Sequence, residues 1–375
     1  MFQEAYPPQK VYGMNAGRKI LFILLPVLIV IFGSLPGYGQ WVQRDERFAP
    51  RGPWLWALPR ELPRLYREFN GIDFGHAHIA ETLLNTQNPQ AVEKARLEVL
   101  DFIFSSPEVQ PDEEQVAPTF TRMVWEVQRA FTWAHTLHRS LYDLFASDRI
   151  EDKQGAYRKI LENYLEKPEA LTNHPLDLHG KLWSFPESKA FRDKFPKFNT
   201  QIWAYHWLQA GAYDVQLMGD SETQRELMPK AIEFYHGYLK NPPVEWRMMP
   251  MMAEAAPEFS RLFPEAAAIF DNLHMLHDNV DDVLSRPDLY PSYEDKRRQI
   301  MKILAIYLHR NHIGSNRYAD YHLKQEAASH AGLHTGEMMG PRPPSVQEAI
   351  GVEPDPQHGQ GMHSAAAATG THSDH

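Results

Sequence analysis

Histidines three residues apart recur along this chain, and on a helix that spacing turns both imidazoles to one face. His135 and His138 stand in FTWAHTLHRSLYDLF, and His274 and His277 in NLHMLHDNVDDVL. IWAYHWLQAGAYDV carries His206 and Gln209 at the same spacing. A looser relative, DFGHAHIAETLL, carries His78 and Glu81 with His76 beside them. In the first three copies an acidic residue follows the second polar one by five positions, at Asp143, Asp214 and Asp282. The neighbouring inward positions are Leu, Val, Phe and Trp, so these imidazoles are expected in an apolar interior. Buried polar groups without partners cost free energy. Four such segments converging on one centre would satisfy each other through a shared metal ion.

Ligand chemistry narrows the ion. Many imidazoles, few carboxylates and no thiolate suit iron or copper, with zinc also allowed, and argue against calcium and magnesium. The expected metal set is His76, His78, Glu81, His135, His138, His206, Gln209, His274, His277 and Asp281. Asp281 enters on helical-wheel grounds: at about 100° per residue it falls roughly 20° from His274, and Asp278 about 40°. Asp143 and Asp282 lie about 140° from the second histidine of their pairs and are expected to orient imidazoles on neighbouring helices or to be solvated. Tyr142 and Tyr213 follow His135 and His206 by seven positions and return to the polar face.

Composition removes other chemistries. The chain has no cysteine, which excludes disulfides, covalent haem through Cys-x-x-Cys-His and Cys-ligated iron–sulfur clusters. A net charge of −10 with scattered Lys and Arg gives no basic patch for nucleic acid. No phosphate loop, dinucleotide fingerprint, serine-hydrolase elbow or His-Glu-x-x-His motif is present, so nothing supports a nucleotide cofactor or a hydrolase.

Strand-like alternation is absent, and the fold class expected is all-α: a membrane-anchored or exported multi-helix bundle with a disordered C-terminal tail. Residues 1–19 read as a cytoplasmic stub and 20–38 as a transmembrane anchor, or alternatively a cleaved signal peptide. A Pro- and Trp-rich juxtamembrane linker spans 39–64. The helical-bundle domain spans 65–330, with helices over 65–84, 91–104, 119–145, 154–165, 198–218, 225–239, 257–284 and 292–309. The acidic, Pro-bounded stretch 107–118 reads as irregular, and 331–375 as a His-containing tail without a core to join. Met248, Met249, Met251 and Met252 suit either a thioether copper site or adaptable packing.

Two functions follow. One is a membrane-anchored periplasmic metalloprotein with a histidine-rich iron or copper centre for redox or oxygen chemistry. It would sit in the inner membrane through one span, or be secreted or periplasmic after signal cleavage. The other is a non-catalytic accessory subunit of a membrane respiratory or electron-transfer complex, with integral membrane subunits as partners.

Overall fold

A computed structural model describes residues 57–176, 185–246, 249–309 and 343–352. A short helix, a break and a long helix form a unit that occurs four times. The first is α1 (Ala57–Glu61) and α2 (Pro63–Asn85), followed by α3 (Pro89–Phe104) and α4 (Glu113–Val116). The second is α5 (Pro118–Met123) and α6 (Trp125–Ala146), followed by α7 (Lys153–Leu165). The third is α8 (Ala190–Lys194) and α9 (Pro196–Leu217), followed by α10 (Ser221–Lys240) and α11 (Met252–Ala255). The fourth is α12 (Pro257–Leu262) and α13 (Pro264–Leu284), followed by α14 (Tyr293–Tyr307) and, near the C-terminus, α15 (Val346–Ile350).

The break has one geometry in all four units. Leu62, Val124, Phe195 and Phe263 hold φ between −130° and −139° and ψ between 56° and 61°. Proline explains three of them. Pro63, Pro196 and Pro264 occupy the first helical position, where a missing N–H costs nothing, and each pushes the preceding residue out of the helical region. All four break residues are apolar and buried, so the turn of the chain is also an anchor in the core.

The acidic residues after the polar pairs bind the units to one another. Glu81 on α2 accepts from the backbone N–H groups of Thr119 (2.9 Å) and Phe120 (3.0 Å), at the start of α5. Asp143 on α6 accepts from Leu58 N–H (2.6 Å) at the start of α1. Asp214 on α9 accepts from Glu258 and Phe259 N–H at the start of α12, and Asp282 on α13 from Lys189 and Phe191 N–H at the start of α8. Each carboxylate thus satisfies orphan donors of a helix N-terminus and meets its partial positive charge. The bonds run reciprocally, first unit with second and third with fourth.

α15 lies on the outside of α9 and α10. Val346 is fully buried there against Gly211, where an added Cβ would come within 2.8 Å of the Val346 Cβ. Trp207 Nε1 donates to the Pro344 carbonyl (2.7 Å), and Gln347 Nε2 donates to Asp214 (3.0 Å).

Several expectations change. None of the helices among the described residues is long and apolar enough to cross a membrane. This corrects the membrane-anchored bundle, and with it the inner-membrane or periplasmic placement and the membrane and its integral subunits as partners. Residues 20–38, where the span or signal was placed, lie outside the described residues. The helical unit starts at Ala57, inside the stretch read as a linker, and residues 343–352, inside the stretch read as a disordered tail, are packed on α9. Residues 107–118 hold α4, because Asp112 caps it by accepting from Glu114 and Gln115 N–H. Met249 and Met252 are buried in the hydrophobic core, as packing requires, while Met248 lies outside the described residues.

Candidate metal centre

The four long helices carry their polar pairs in one register. Counting from the first residue of each helix, Asp73, His135, His206 and His274 are equivalent, and so are His76, His138, Gln209 and His277. Glu81, Asp143, Asp214 and Asp282 are equivalent one step further on. The first unit's pair is therefore Asp73 and His76, not His78 and Glu81.

Six imidazoles meet in the core. His76, His135, His138, His206, His274 and His277 are each at most 6% exposed. Ligand nitrogens of His76, His135 and His277 all lie within 4.8 Å of one another. The Nε2 atoms of His76 and His206 are 3.3 Å apart. Two nitrogens bound to one tetrahedral ion at about 2.0–2.1 Å would stand at roughly that separation. The rings of His206 and His274 stack at 4.0 Å, and that of His138 lies 5.8 Å from His274.

Outer partners leave the inner nitrogens free. His135 Nδ1 sits 2.8 Å from Glu113 Oε1, an acceptor, so Nδ1 carries a proton and Nε2 is left for another bond. Gln128 donates to the other Glu113 oxygen (3.1 Å) and steadies it. Tyr142 donates its hydroxyl proton to the Gln209 carbonyl (2.6 Å), so its oxygen accepts from His138 Nδ1 (3.1 Å), and Tyr213 lies 2.9 Å from the same nitrogen. Asp73 is 4.0 Å from His135 but is held by Arg139, which also donates to Asn70.

What remains is a set of orphans. Nδ1 of His76, Nε2 of His135, Nε2 of His138, Nδ1 of His206 and both nitrogens of His274 and His277 are buried without a hydrogen-bond partner, as is Oε1 of Gln209. Burial and, behind it, the neighbouring imidazoles hold His76, His138, His206 and His277 well below the usual histidine range, and His274 is lowered to about 3. Burial pushes His135 down as well, but Glu113 and Asp73 outweigh it and its pKa is raised. Five of the six rings are thus neutral, the form that donates a lone pair. The clustered His, Asp and Glu side chains have the geometry and the chemistry to chelate a transition-metal ion.

The other expected residues lie elsewhere. His78 faces Glu98 on α3 at 3.3 Å, and Glu81 is committed to α5. Asp281 is buried beside Asp278 and Asp282; burial first, then those two carboxyls, push its pKa well up. Glu113 carries no signal in the sequence, because it sits on a four-residue helix inside a Pro-bounded stretch with no periodic pattern.

Gly75 lets α2 approach α9 next to the centre. A Cβ there would lie 3.0 Å from both Tyr205 Cε2 and Val99 Cγ1. Gly75→Ala is expected to move His76 away from His206, costing about 1–3 kcal/mol in stability through overpacking and weakening metal binding at least tenfold. Unchanged affinity in a competition assay with a chromogenic chelator would disprove the link. Comparison with protein-family models, with curated proteins and with solved structures returns no match.

Proposed function

We propose that this is a metal-binding helical protein whose buried imidazole cluster holds a late first-row transition-metal ion, copper or iron in preference to zinc. The observation that carries the reading is the set of eight ring nitrogens left without partners in one apolar core. At about 1–3 kcal/mol each, their burial costs on the order of 10 kcal/mol, as much as the whole net stability of an ordinary domain. An ion bound to their lone pairs offsets that cost.

Charge balance bears on which ion. The carboxylates near the rings are Glu113 and Asp73, and Arg139 neutralises the second. Ions that need little counter-charge are favoured, copper(I) most, and iron(III) least. Near-complete burial of all six rings fits an ion held for structural, storage or electron-transfer use, with no ring exposed for a bulky substrate to approach.

Elemental analysis of the purified full chain tests this. Stoichiometric copper or iron is expected, removable by a strong chelator and absent in a His135→Ala/His277→Ala variant. A wild-type protein that neither retains nor takes up copper, iron or zinc at micromolar concentration overturns the reading.

A further inference from the structure

Between α3 and α5 the chain runs over the surface, and one side chain of that run reaches the imidazole cluster. Among residues 105–116, all of them described, Glu113 alone is buried. Ser105, Ser106, Glu108 and Gln115 are exposed, as is Val109, at 77%. Glu113 Oε1 nonetheless lies 2.8 Å from His135 Nδ1. His135 belongs to two convergent groups, one with His76 and His277 and one with Asp73 and Glu113. Elsewhere the rings meet buried aromatic side chains: Phe131 lies 4.0 Å from His277, Phe270 3.5 Å from His138, and Tyr205 edge-on 5.6 Å from His76. A polar path from solvent to the imidazoles therefore passes through Glu113.

The run is built to swing as a unit. Ser106 holds φ at 54°, in the left-handed region that a residue with a side chain adopts at a cost. Pro107, Pro111 and Pro118 stiffen the chain beyond it. At the far end Ala117 is a non-helical junction between α4 and α5, with φ −118° and ψ 61°. A few side chains tie the run down. Asn70 Nδ2 donates to the Pro107 carbonyl (2.8 Å), Gln128 Nε2 to Glu113 (3.1 Å), and Arg67 to Glu108 (3.0 Å) at the exposed edge. Val116 rests partly buried on the core. A segment with so little buried surface opens far more readily than the long helices beneath it.

We propose that residues 105–117 are the gate through which the metal ion enters, with Glu113 as its latch. This rests on the metal-binding reading above and adds the route and its control. In the open state Glu113 stands in solvent as a carboxylate that attracts the cation, and on closing it returns to His135. An ion on Nε2 of His135 withdraws charge from the ring and makes Nδ1–H a stronger donor to Glu113. The bound ion thus fastens the gate behind it.

The test follows uptake and release by the full chain in stopped flow, with bicinchoninate for copper(I) or ferrozine for iron(II) as the coloured chelator. Val116→Ala is expected to speed uptake and release alike by about fivefold, as the loss of two partly buried methyl groups implies, with affinity kept within about twofold. Faster release with weaker affinity and unchanged uptake would mean that Val116 only positions Glu113, and overturns the gate. Unchanged rates overturn the gate and leave the metal-binding reading standing; no uptake of copper, iron or zinc overturns both. Hydrogen exchange of the wild type decides the proposal even where the variant fails to fold. The Val116 and Ala117 amides, bonded to the Asp112 and Glu113 carbonyls, should exchange before those of α2 and α6, and more slowly in the loaded chain than in the stripped one. Protection equal to that of α6 in both forms also overturns the gate.

Discussion

Stripping the metal from this protein is expected to lower its thermal midpoint by about 10 °C or more. Six imidazoles, five of them neutral, face one another in a core rich in Phe, Leu, Val and Tyr, and eight of their nitrogens have no partner. In the metal-free chain those atoms must remain unsatisfied or admit water, and either state is less favourable than coordination. An ion at a thousand times its Kd stabilises the folded state by about 4 kcal/mol. In a domain of this size each kcal/mol moves the midpoint by about 2–4 °C. The histidines add a pH term of known sign. Five of them have folded-state pKa values below the unfolded value of about 6.5. The stability tied to keeping them neutral is fully present above pH 6.5 and is lost as pH falls toward their folded values, at up to about 1.4 kcal/mol per unit for each ring. The metal's own contribution follows its affinity for the folded chain, which falls as protons compete for the ring nitrogens, so the loaded and stripped midpoints converge on acidification. Calorimetry of the loaded and stripped chain checks this, and identical midpoints would sink it.

Glu113→Gln is expected to weaken metal binding about 10- to 100-fold, the usual effect of removing a carboxylate that backs a metal-binding imidazole. It should also change the proton count. Glu113 and Asp73 raise the His135 pKa against the pull of burial. The stability of that ion pair is therefore fully present below about pH 6.5 and declines as pH rises through the raised value. An ion that takes Nε2 of the protonated ring must expel one proton, whereas the five neutral rings expel none. Binding near pH 6.5 should release up to one proton per chain in the wild type, with affinity falling as pH drops further. In Glu113→Gln burial dominates, and the release should be largely lost. Titration calorimetry in buffers of different ionisation enthalpy separates the cases. Equal proton release by both proteins would show that Glu113 does not govern His135.

Much of this arrangement is readable in the chain. Helix periods, the Pro residues that begin α2, α9, α12 and α13, and three of the four polar pairs are all local signals. The fourth pair is ambiguous in register. An acid five positions after the second polar residue marks the other copies, and Glu81 applied in that way selects His76, with Asp73 before it. His78 competes with it because it lies three positions from Glu81. Asp281 meets the angular criterion alone. Seven residues separate it from His274, about 10 Å along the helix, so it shares a face with the ligands but not their height. Glu113 had no such signal, since only the tertiary fold brings α4 to His135. The caps formed by Asp143, Asp214 and Asp282 likewise depend on which short helix packs against which long one.

The reciprocal caps carry a consequence for how the chain comes apart. They stitch the first two units into one pair and the last two into another. The convergent imidazoles come from both pairs, His76 and His135 from the first and His277 from the second. An ion then closes a loop from one end of the fold to the other, as a disulfide would in a chain that had cysteines. Cross-links over loops of this length stabilise by a few kcal/mol in chain-entropy terms, about 4–5 in the simplest treatment. The loaded protein should therefore lose hydrogen-exchange protection in α2, α6, α9 and α13 together, while in the stripped protein α2 with α6 and α9 with α13 open as separate pairs. Simultaneous exchange in both forms would rule this out. In a protein without a single cysteine, a bound ion would be the cross-link.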